Sequence, residues 1–333
     1  MREWLARRSY DYAQFTDPVS LARRKRNLGL SVSVLLPCLE AVDEVWPLID
    51  EIHTLNECAP LVDQIAVITA SSSQDMNATH PGIEVYSGDE LMPEYGPVIG
   101  KGDAMWRALS IARGDLVVYA DVEAPAFKPH FVRGVLGPIL GVAEVKFAKA
   151  AYELPVWGAR EVAETELEGA LDELMARPLL NLYYPELSGF LQPLSGEFAA
   201  PRELLCSIPF FTGSTTEMTI MIDLLDKVGL DAMAQVNFGI RWDRRRFLGN
   251  PGCESYAMLR TVDLRLGRGS FGSSLSEEAH PRGHDVTAMV DNYTRPVALS
   301  DGVGFRKDTV EIAERPPMTQ VLQNSTRDTR SKL

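Results

Sequence analysis

The sequence predicts an α/β fold, a parallel sheet wrapped by helices, on three observations. Short apolar, β-branched runs alternate with amphipathic stretches from Val32 onward. The run Leu116-Val117-Val118-Tyr119-Ala120 is nearly continuously apolar, as a strand covered on both faces must be. Short polar turns separate the runs, so strands joined through helices lie side by side.

In chain order, residues 1–30 carry many Arg and aromatic residues and no clear strand, which predicts an N-terminal arm or helix packed on the main body. Its basic cluster Arg23-Arg24-Lys25-Arg26 reads as a solvated face, with nucleic-acid contact as the alternative. A first strand is expected over 32–37, a helix over 43–55 and a second strand over 65–69. That strand ends in the polar turn Ala70-Ser71-Ser72-Ser73-Gln74-Asp75. A short third strand covers 83–86. Gly100-Lys101-Gly102 opens a helix running through Trp106 to about Ala112, and the strand after it ends at Asp121. Next come a helix over 130–140, a strand over 144–150 and a long helical pattern over 162–182. Residues 189–197 read as irregular, and 201–207 as a short helix started by proline. A strongly apolar helix over 215–228, a strand over 231–240 and an amphipathic helix over 254–268 complete the pattern. Residues 270–333 are rich in Gly, Ser, Thr and Pro and read as an extended or partly ordered extension available for a dimer contact. The expected organisation is an arm (1–30), a nucleotide-sugar-binding α/β region (31–150), an acceptor-binding region (151–269) and a C-terminal extension (270–333).

With 333 residues there is room for one large α/β domain plus an extension. A net charge of −13 argues against nucleic acid, whose phosphates need clustered cations, and against an anionic membrane surface. It leaves open a small anionic ligand, which needs only a local positive pocket or a metal. Cys38, Cys58, Cys206 and Cys253 show no CxxC spacing, so reduced cytoplasmic thiols are expected rather than a structural zinc. No apolar stretch approaches the roughly 18 residues of a membrane span. Met1-Arg2-Glu3-Trp4 lacks a signal-peptide core, which again predicts a cytoplasmic protein.

Chemistry is suggested first by Asp121-Val122-Glu123, at the end of the buried run. Ligands of open α/β sheets bind beyond the carboxyl ends of the strands. Two carboxylates at i and i+2 there can hold a hard divalent cation, and such a cation can hold a diphosphate. A strand ending in an acidic turn is the plain alternative. Gly100-Lys101-Gly102 offers a helix start and one lysine to a phosphate, although most such triplets are simple turns.

Over about residues 30–260 the chain resembles the glucosyl-3-phosphoglycerate synthase family of retaining glycosyltransferases. The resemblance rests on Ser33-Val34-Leu35-Leu36-Pro37, Gly100-Lys101-Gly102-Asp103, Gly114-Asp115 and Ala176-Arg177-Pro178-Leu179-Leu180. Two longer stretches also carry it, Leu191-Gln192-Pro193-Leu194-Ser195-Gly196-Glu197 and Gly229-Leu230-Asp231-Ala232-Met233-Ala234-Gln235-Val236-Asn237. It implies a GT-A fold, a nucleotide-binding sheet with a smaller acceptor-binding portion. It also implies donor contact by Pro37-Cys38-Leu39 and by Asp121-Val122-Glu123, which matches the family's metal motif Asp-Ser-Asp, diphosphate contact by Lys101, and Mg2+ or Mn2+ on Asp121 and Glu123. Asp243 stands where the family uses a histidine ligand, which would make the set all carboxylate. Asp121, Lys101 and Glu217 are the implied catalytic residues. A homodimer is the family habit.

The departures matter as much. The family's Asp-Ser-Gly-Ser-Thr-Asp turn is Thr69-Ala70-Ser71-Ser72-Ser73-Gln74 here, and its Asn-Glu pair is Glu40-Ala41, so a GDP-sugar becomes credible beside a UDP-sugar. The family's phosphate grip, Gly-Arg-Val-Thr-Glu-Leu, is Gly169-Ala170-Leu171-Asp172-Glu173-Leu174. A site that loses a cation and gains a carboxylate repels phosphate and suits a cationic or zwitterionic acceptor. Gly213-Ser214-Thr215-Thr216-Glu217 loses the family's tyrosine and keeps its glutamate. Glu197, Ser214 and Glu217, with Ala170 and Asp172, are therefore the expected acceptor side. Each glutamate has a plain alternative as a surface or capping acid. Tyr183, Tyr184 and Trp242 read as site walls or, more simply, as core and rim packing.

This pattern is compatible with a branch of relatives in lincosamide antibiotic assembly, which moves an octose from a GDP donor to the sulfur of ergothioneine. A thione sulfur needs no strong base, and the five histidines lie outside the motifs. Two alternatives stay open: an O-glycosyltransferase of the ordinary family type using UDP- or GDP-glucose, and a degenerate protein that binds a nucleotide sugar without turnover.

Overall fold

The structure is a computed structural model. It describes residues 1–39, 45–70, 82–120, 130–153, 171–213, 215–240, 251–267, 293–300 and 305–331, with the backbone alone at Ile240, 293–300, 305–309 and 325–331. Its described strands form an eight-stranded sheet in the order β1-β9-β6-β7-β5-β2-β3-β4. These strands are β1 (Ser9–Asp11), β2 (Val32–Cys38), β3 (Gln64–Thr69), β4 (Glu84–Ser87), β5 (Leu116–Tyr119), β6 (Phe147–Glu153), β7 (Phe198–Pro201) and β9 (Met233–Ile240).

Every residue of β2, β3 and β5 is buried, as the near-continuous apolar runs require. Their side chains alternate between two cores. Leu35, Ile68 and Tyr119 face one, and Val34, Leu36, Val67 and Val118 face the other. The first core is covered by α4 (Gly100–Ile111) and by the long apolar helix Thr216–Val228. The second is covered by α2 (Pro18–Leu28), α3 (Val45–Cys58) and α5 (His130–Gly141).

Pairing is parallel except at β7, which runs antiparallel to both β5 and β6. Phe198-Ala199-Ala200-Pro201 has no β-branched residue, so this central strand was not expected from sequence. The irregular reading of 189–197 stops just before it.

The N-terminal arm is more tightly built in than its composition predicts. In α1 (Arg2–Arg8) the Trp4 indole N–H lies 3.0 Å from the carbonyls of both Leu230 and Met233, and β1 extends the sheet edge beside β9. The expected solvated basic face needs one correction. Arg23, Arg24 and Arg26 are exposed, but Lys25 is buried, with Nζ 2.7 Å from Asp63 Oδ2 and 3.1 Å from the Leu61 carbonyl.

The long helical pattern over 162–182 is described from Leu171 onward. There a π-helical segment, Asp172–Ala176, runs into α6 (Arg177–Tyr183). Further on come α7 (Arg202–Cys206), β8 (Phe210–Phe211), α8 (Thr216–Val228) and α9 (Pro251–Arg265). The stretch expected to be an extension holds a hairpin of β10 (Tyr293–Ser300) and β11 (Phe305–Ile312), a short β12 (Glu314–Arg315) and α10 (Met318–Ser331). It returns to the core: Ala313, Arg315, Met318 and Val321 are all buried. No helix among the described residues is long and apolar enough to cross a membrane.

Candidate active site

After β2 the chain moves outward to β3 and β4, then returns to place β5 on the other side of β2. The sheet therefore has a topological switch point at the carboxyl ends of β2 and β5, where open α/β sheets take ligands. Pro37 and Cys38 end β2 inside the core there, and Leu39 packs half-buried against it. Ala120, whose N–H donates to the Leu35 carbonyl over 3.3 Å, follows β5 at the same edge. Asp121, Val122 and Glu123 themselves, with Ala170, Ser214, Trp242 and Asp243, lie outside the described residues.

The glycine-lysine-glycine turn sits beside this edge, and its sequence has a steric cause. Gly100 has φ +69°, a conformation other residues enter at a cost, and Gly102 presses on backbone. A Cβ on Gly102 would lie 2.1 Å from the Phe211 carbonyl oxygen. The Gly102 N–H donates to the Gly213 carbonyl over 3.2 Å. That close approach brings the start of α4 against the start of α8. Lys101 Nζ and Glu217 Oε1 meet at 2.9 Å, with Glu217 buried and Lys101 partly open to solvent. The sequence placed these two residues in one site, and the structure puts them in contact.

Behind this pair lies a residue the sequence reading missed. Lys149, in the middle of β6, is fully buried and donates to the Ser195 carbonyl. The 195–197 stretch is clamped to the same strand twice more. Ser195 Oγ donates to the Ala150 carbonyl over 2.7 Å, and the Ala150 N–H donates to the Glu197 carbonyl over 2.9 Å. Burial lowers the Lys149 pKa to about 8, while the charges of Glu217, Glu197 and Asp172 pull the other way. A lysine inside Phe147-Ala148-Lys149-Ala150-Ala151 was the available signal, since a charge amid a buried strand needs partners.

Asp172 opens the π-helical segment, buried, and accepts from the Leu194 N–H over 3.1 Å. Burial raises its pKa to about 6, against that hydrogen bond and the charges of Lys149 and Arg177. Arg177 is committed elsewhere, to Glu173 at 2.8 Å and to the carbonyls of Ser188, Phe190 and Leu191. Glu197 and Glu217 are 1% and 3% exposed, so the plain reading of either as a surface acid is excluded. Glu254 of α9 also faces the cluster: its pKa is raised by burial and by the charge of Glu217. Tyr183 and Tyr184 pack against the core half-buried, which matches their plainer reading. Among the described residues no three His, Cys, Asp or Glu side chains are arranged so that they could hold a metal ion together.

No family model matches the chain. It is 36% identical to glucosyl-3-phosphoglycerate synthase of Mycolicibacterium paratuberculosis over 324 residues, 96% of this chain and 92% of that one. Among solved structures it matches mannosyl-3-phosphoglycerate synthase from Rubrobacter xylanophilus with a TM-score of 0.78 and 48% identity, covering 96% of this chain and 99% of that chain. Glucosyl-3-phosphoglycerate synthase from Mycobacterium tuberculosis, solved with Mn2+, UDP-glucose and phosphoglyceric acid, matches with a TM-score of 0.68. It is 34% identical, covering 90% of this chain and 94% of that one.

A sheet of this order, with charges gathered at its switch point and these structural neighbours, defines a GT-A glycosyltransferase. More narrowly, the chain belongs to the glucosyl-3-phosphoglycerate synthase family.

Proposed function

We propose that this enzyme transfers a sugar, with retention, from a nucleoside-diphosphate donor to a small acceptor that carries a positive charge and no phosphate. A GDP-sugar is the favoured donor, and a trimethylammonium betaine thione such as ergothioneine is the acceptor class, as in lincosamide assembly. The observation that carries this reading is the charge balance around Asp172. Asp172, Glu197 and Glu217 supply three carboxylates, and the neighbouring cations already face charges of this chain: Lys149 those three carboxylates, Lys101 Glu217, and Arg177 Glu173. A phosphorylated acceptor would bring two or more negative charges to that cluster without a free described cation to meet them.

In this reading Lys101 leans from Glu217 toward the donor diphosphate and offsets charge growing on the leaving oxygen. Glu217, freed of part of its ion pair, accepts hydrogen bonds from sugar or acceptor hydroxyls. Lys149 holds the 195–197 stretch, and with it Glu197, against the sheet. The acceptor attacks the anomeric carbon from the face the diphosphate leaves. By their chemistry Asp121, Glu123 and Asp243 fit Mg2+ or Mn2+, because a set of carboxylate oxygen donors suits a hard cation. When bound, that ion supplies Lewis-acid stabilisation of the diphosphate. The donor-side turn at Pro37, Cys38 and Leu39 shapes the nucleotide pocket. Cytoplasmic action and a homodimer complete the proposal.

A second reading has its own support. Relatives 36% and 48% identical along nearly the whole chain are named for phosphoglycerate acceptors. Calorimetry separates the two: GDP and UDP are titrated with Mg2+, then ergothioneine and 3-phosphoglycerate with the diphosphate present. Binding of GDP and ergothioneine supports the proposal. Binding of UDP and phosphoglycerate replaces it with the ordinary family reaction, and no binding by either pair points to a degenerate member.

A further inference from the structure

Lys101 and Glu217 meet only if two stretches far apart in sequence keep a fixed separation, and residues 313–316 touch both. On one side β12 pairs with β8, with Glu314 opposite Phe211 and Arg315 opposite Phe210. The Thr212 N–H donates to the Ala313 carbonyl, and the Ala313 N–H to Thr212 Oγ1, each over 2.9 Å. On the other side Arg315 Nε and Nη2 donate to Oδ1 and Oδ2 of Asp103, each over 2.8 Å. The Trp106 indole N–H donates to the Pro316 carbonyl over 2.7 Å. Asp103 in turn accepts from the Ile99 N–H over 2.9 Å, which fixes the backbone entering the Gly100-Lys101-Gly102 turn.

Asp103, Arg107 and Arg315 are essentially without solvent contact. The two arginines divide the work. Arg107 reaches Asp103 at 3.2 Å, but its guanidinium is largely spent on the carbonyls of Gly88, Leu91 and Gly96. Arg315 spans both carboxylate oxygens and lies 5.5 Å and 5.8 Å from the ring centres of Tyr95 and Trp106. A planar fork can bridge two oxygens and face aromatic rings at once, and an ammonium cannot.

We propose that Arg315 is a positioning residue for sugar transfer: its fork on Asp103 seats the glycine-lysine-glycine turn against residues 211–213 and so sets Lys101 opposite Glu217. The inference rests on the reading of Lys101 as the donor-diphosphate contact. It assigns the C-terminal segment to the completion of a site whose other parts lie about one hundred and about two hundred residues earlier.

The test is a double-mutant cycle on the full chain, with GDP and UDP titrated in the presence of Mn2+ into wild type, R315K, K101M and R315K/K101M. R315K is expected to weaken the better-bound diphosphate about tenfold. K101M is expected to weaken it at least as much, and the double variant no more than K101M. A purely architectural arginine gives losses that multiply, and that result overturns the proposal, as does wild-type affinity in folded R315K. If K101M leaves affinity unchanged, the donor reading of Lys101 is what fails. Hydrogen exchange then judges Arg315 by itself: faster exchange over 99–103 and 211–217 in R315K supports seating of the turn, and unchanged exchange overturns it. Should R315K not fold, Arg315→Gln, which leaves the buried Asp103 carboxylate paired with Arg107, carries the same comparison.

Discussion

Lys149 carries an ammonium into the middle of a sheet, and the sign of its titration gives a test. Its folded pKa, about 8, lies below the ordinary 10.5 because burial disfavours the charge. Between those values the unfolded chain binds more protons, so this group's contribution to stability rises with pH. Its contribution to activity runs the other way, because the ammonium that faces Glu197 and Glu217 is lost above about pH 8. Turnover should therefore fall on the alkaline side while the melting temperature does not, and Lys149→Met should flatten that limb of the pH–rate profile. A wild-type profile unchanged in Lys149→Met removes the residue from the site. Asp172 has the opposite shift, raised to about 6 from 3.8 by burial. The folded chain holds the extra proton across that window, so the contribution of Asp172 to stability falls as pH rises from about 4 to 6. Its grip on a cation appears only above about pH 6. Affinity for ergothioneine should rise through that pH in wild type and stay flat, about tenfold weaker, in Asp172→Asn. A flat wild-type curve would falsify the cationic acceptor reading.

The elements around the site were legible unequally. The helix opened by Gly100-Lys101-Gly102 was expected to about Ala112 and ends at Ile111, because its apolar spacing and its glycines are both local signals. What the turn packs against was not legible, since Phe211 and Gly213 give no sequence sign of touching residue 102. That hidden contact decides the outcome of Gly102→Ala. Helix propensity favours the alanine by about 1 kcal/mol. Against it, the added Cβ would sit 2.1 Å from the Phe211 carbonyl oxygen and 2.8 Å from Thr216 Cβ. Backbone cannot swing aside as a side-chain tip can, and overpacking of this kind costs about 1–3 kcal/mol. The variant should melt several degrees lower and lose diphosphate affinity, since the start of α4 and the start of α8 are forced apart. A higher melting temperature would show that the two segments slide without strain. β7 teaches the same lesson: Phe198-Ala199-Ala200-Pro201 is a strand because β5 and β6 flank it, not because its residues prefer extended backbone.

At the scale of the whole molecule, the parallel strands and their helices were readable because each buries a continuous apolar run. The C-terminal stretch was not readable, because its buried residues come singly among polar ones. Arg315 is 1% exposed, Met318 0% and Val321 7%, in a stretch whose composition reads as loosely ordered. Their partners lie on α4, Trp106 among them, and pairing across that sequence distance leaves no periodic trace. A chain ending at Ile312 tests what the stretch does. Removing Arg315 takes a bidentate partner from the buried Asp103 carboxylate, at a cost of about 3 kcal/mol. Losing the buried Met318 side chain removes about 2–3 kcal/mol more. The sum approaches the lower end of a typical folding stability of about 5–15 kcal/mol. The truncated chain should therefore unfold far below the full-length protein, or lose its cooperative transition, in circular-dichroism melts. A melt within a few degrees of full length would make the C-terminal stretch the appendage its composition suggests, and would leave the seating of Lys101 to α4 and α8 alone.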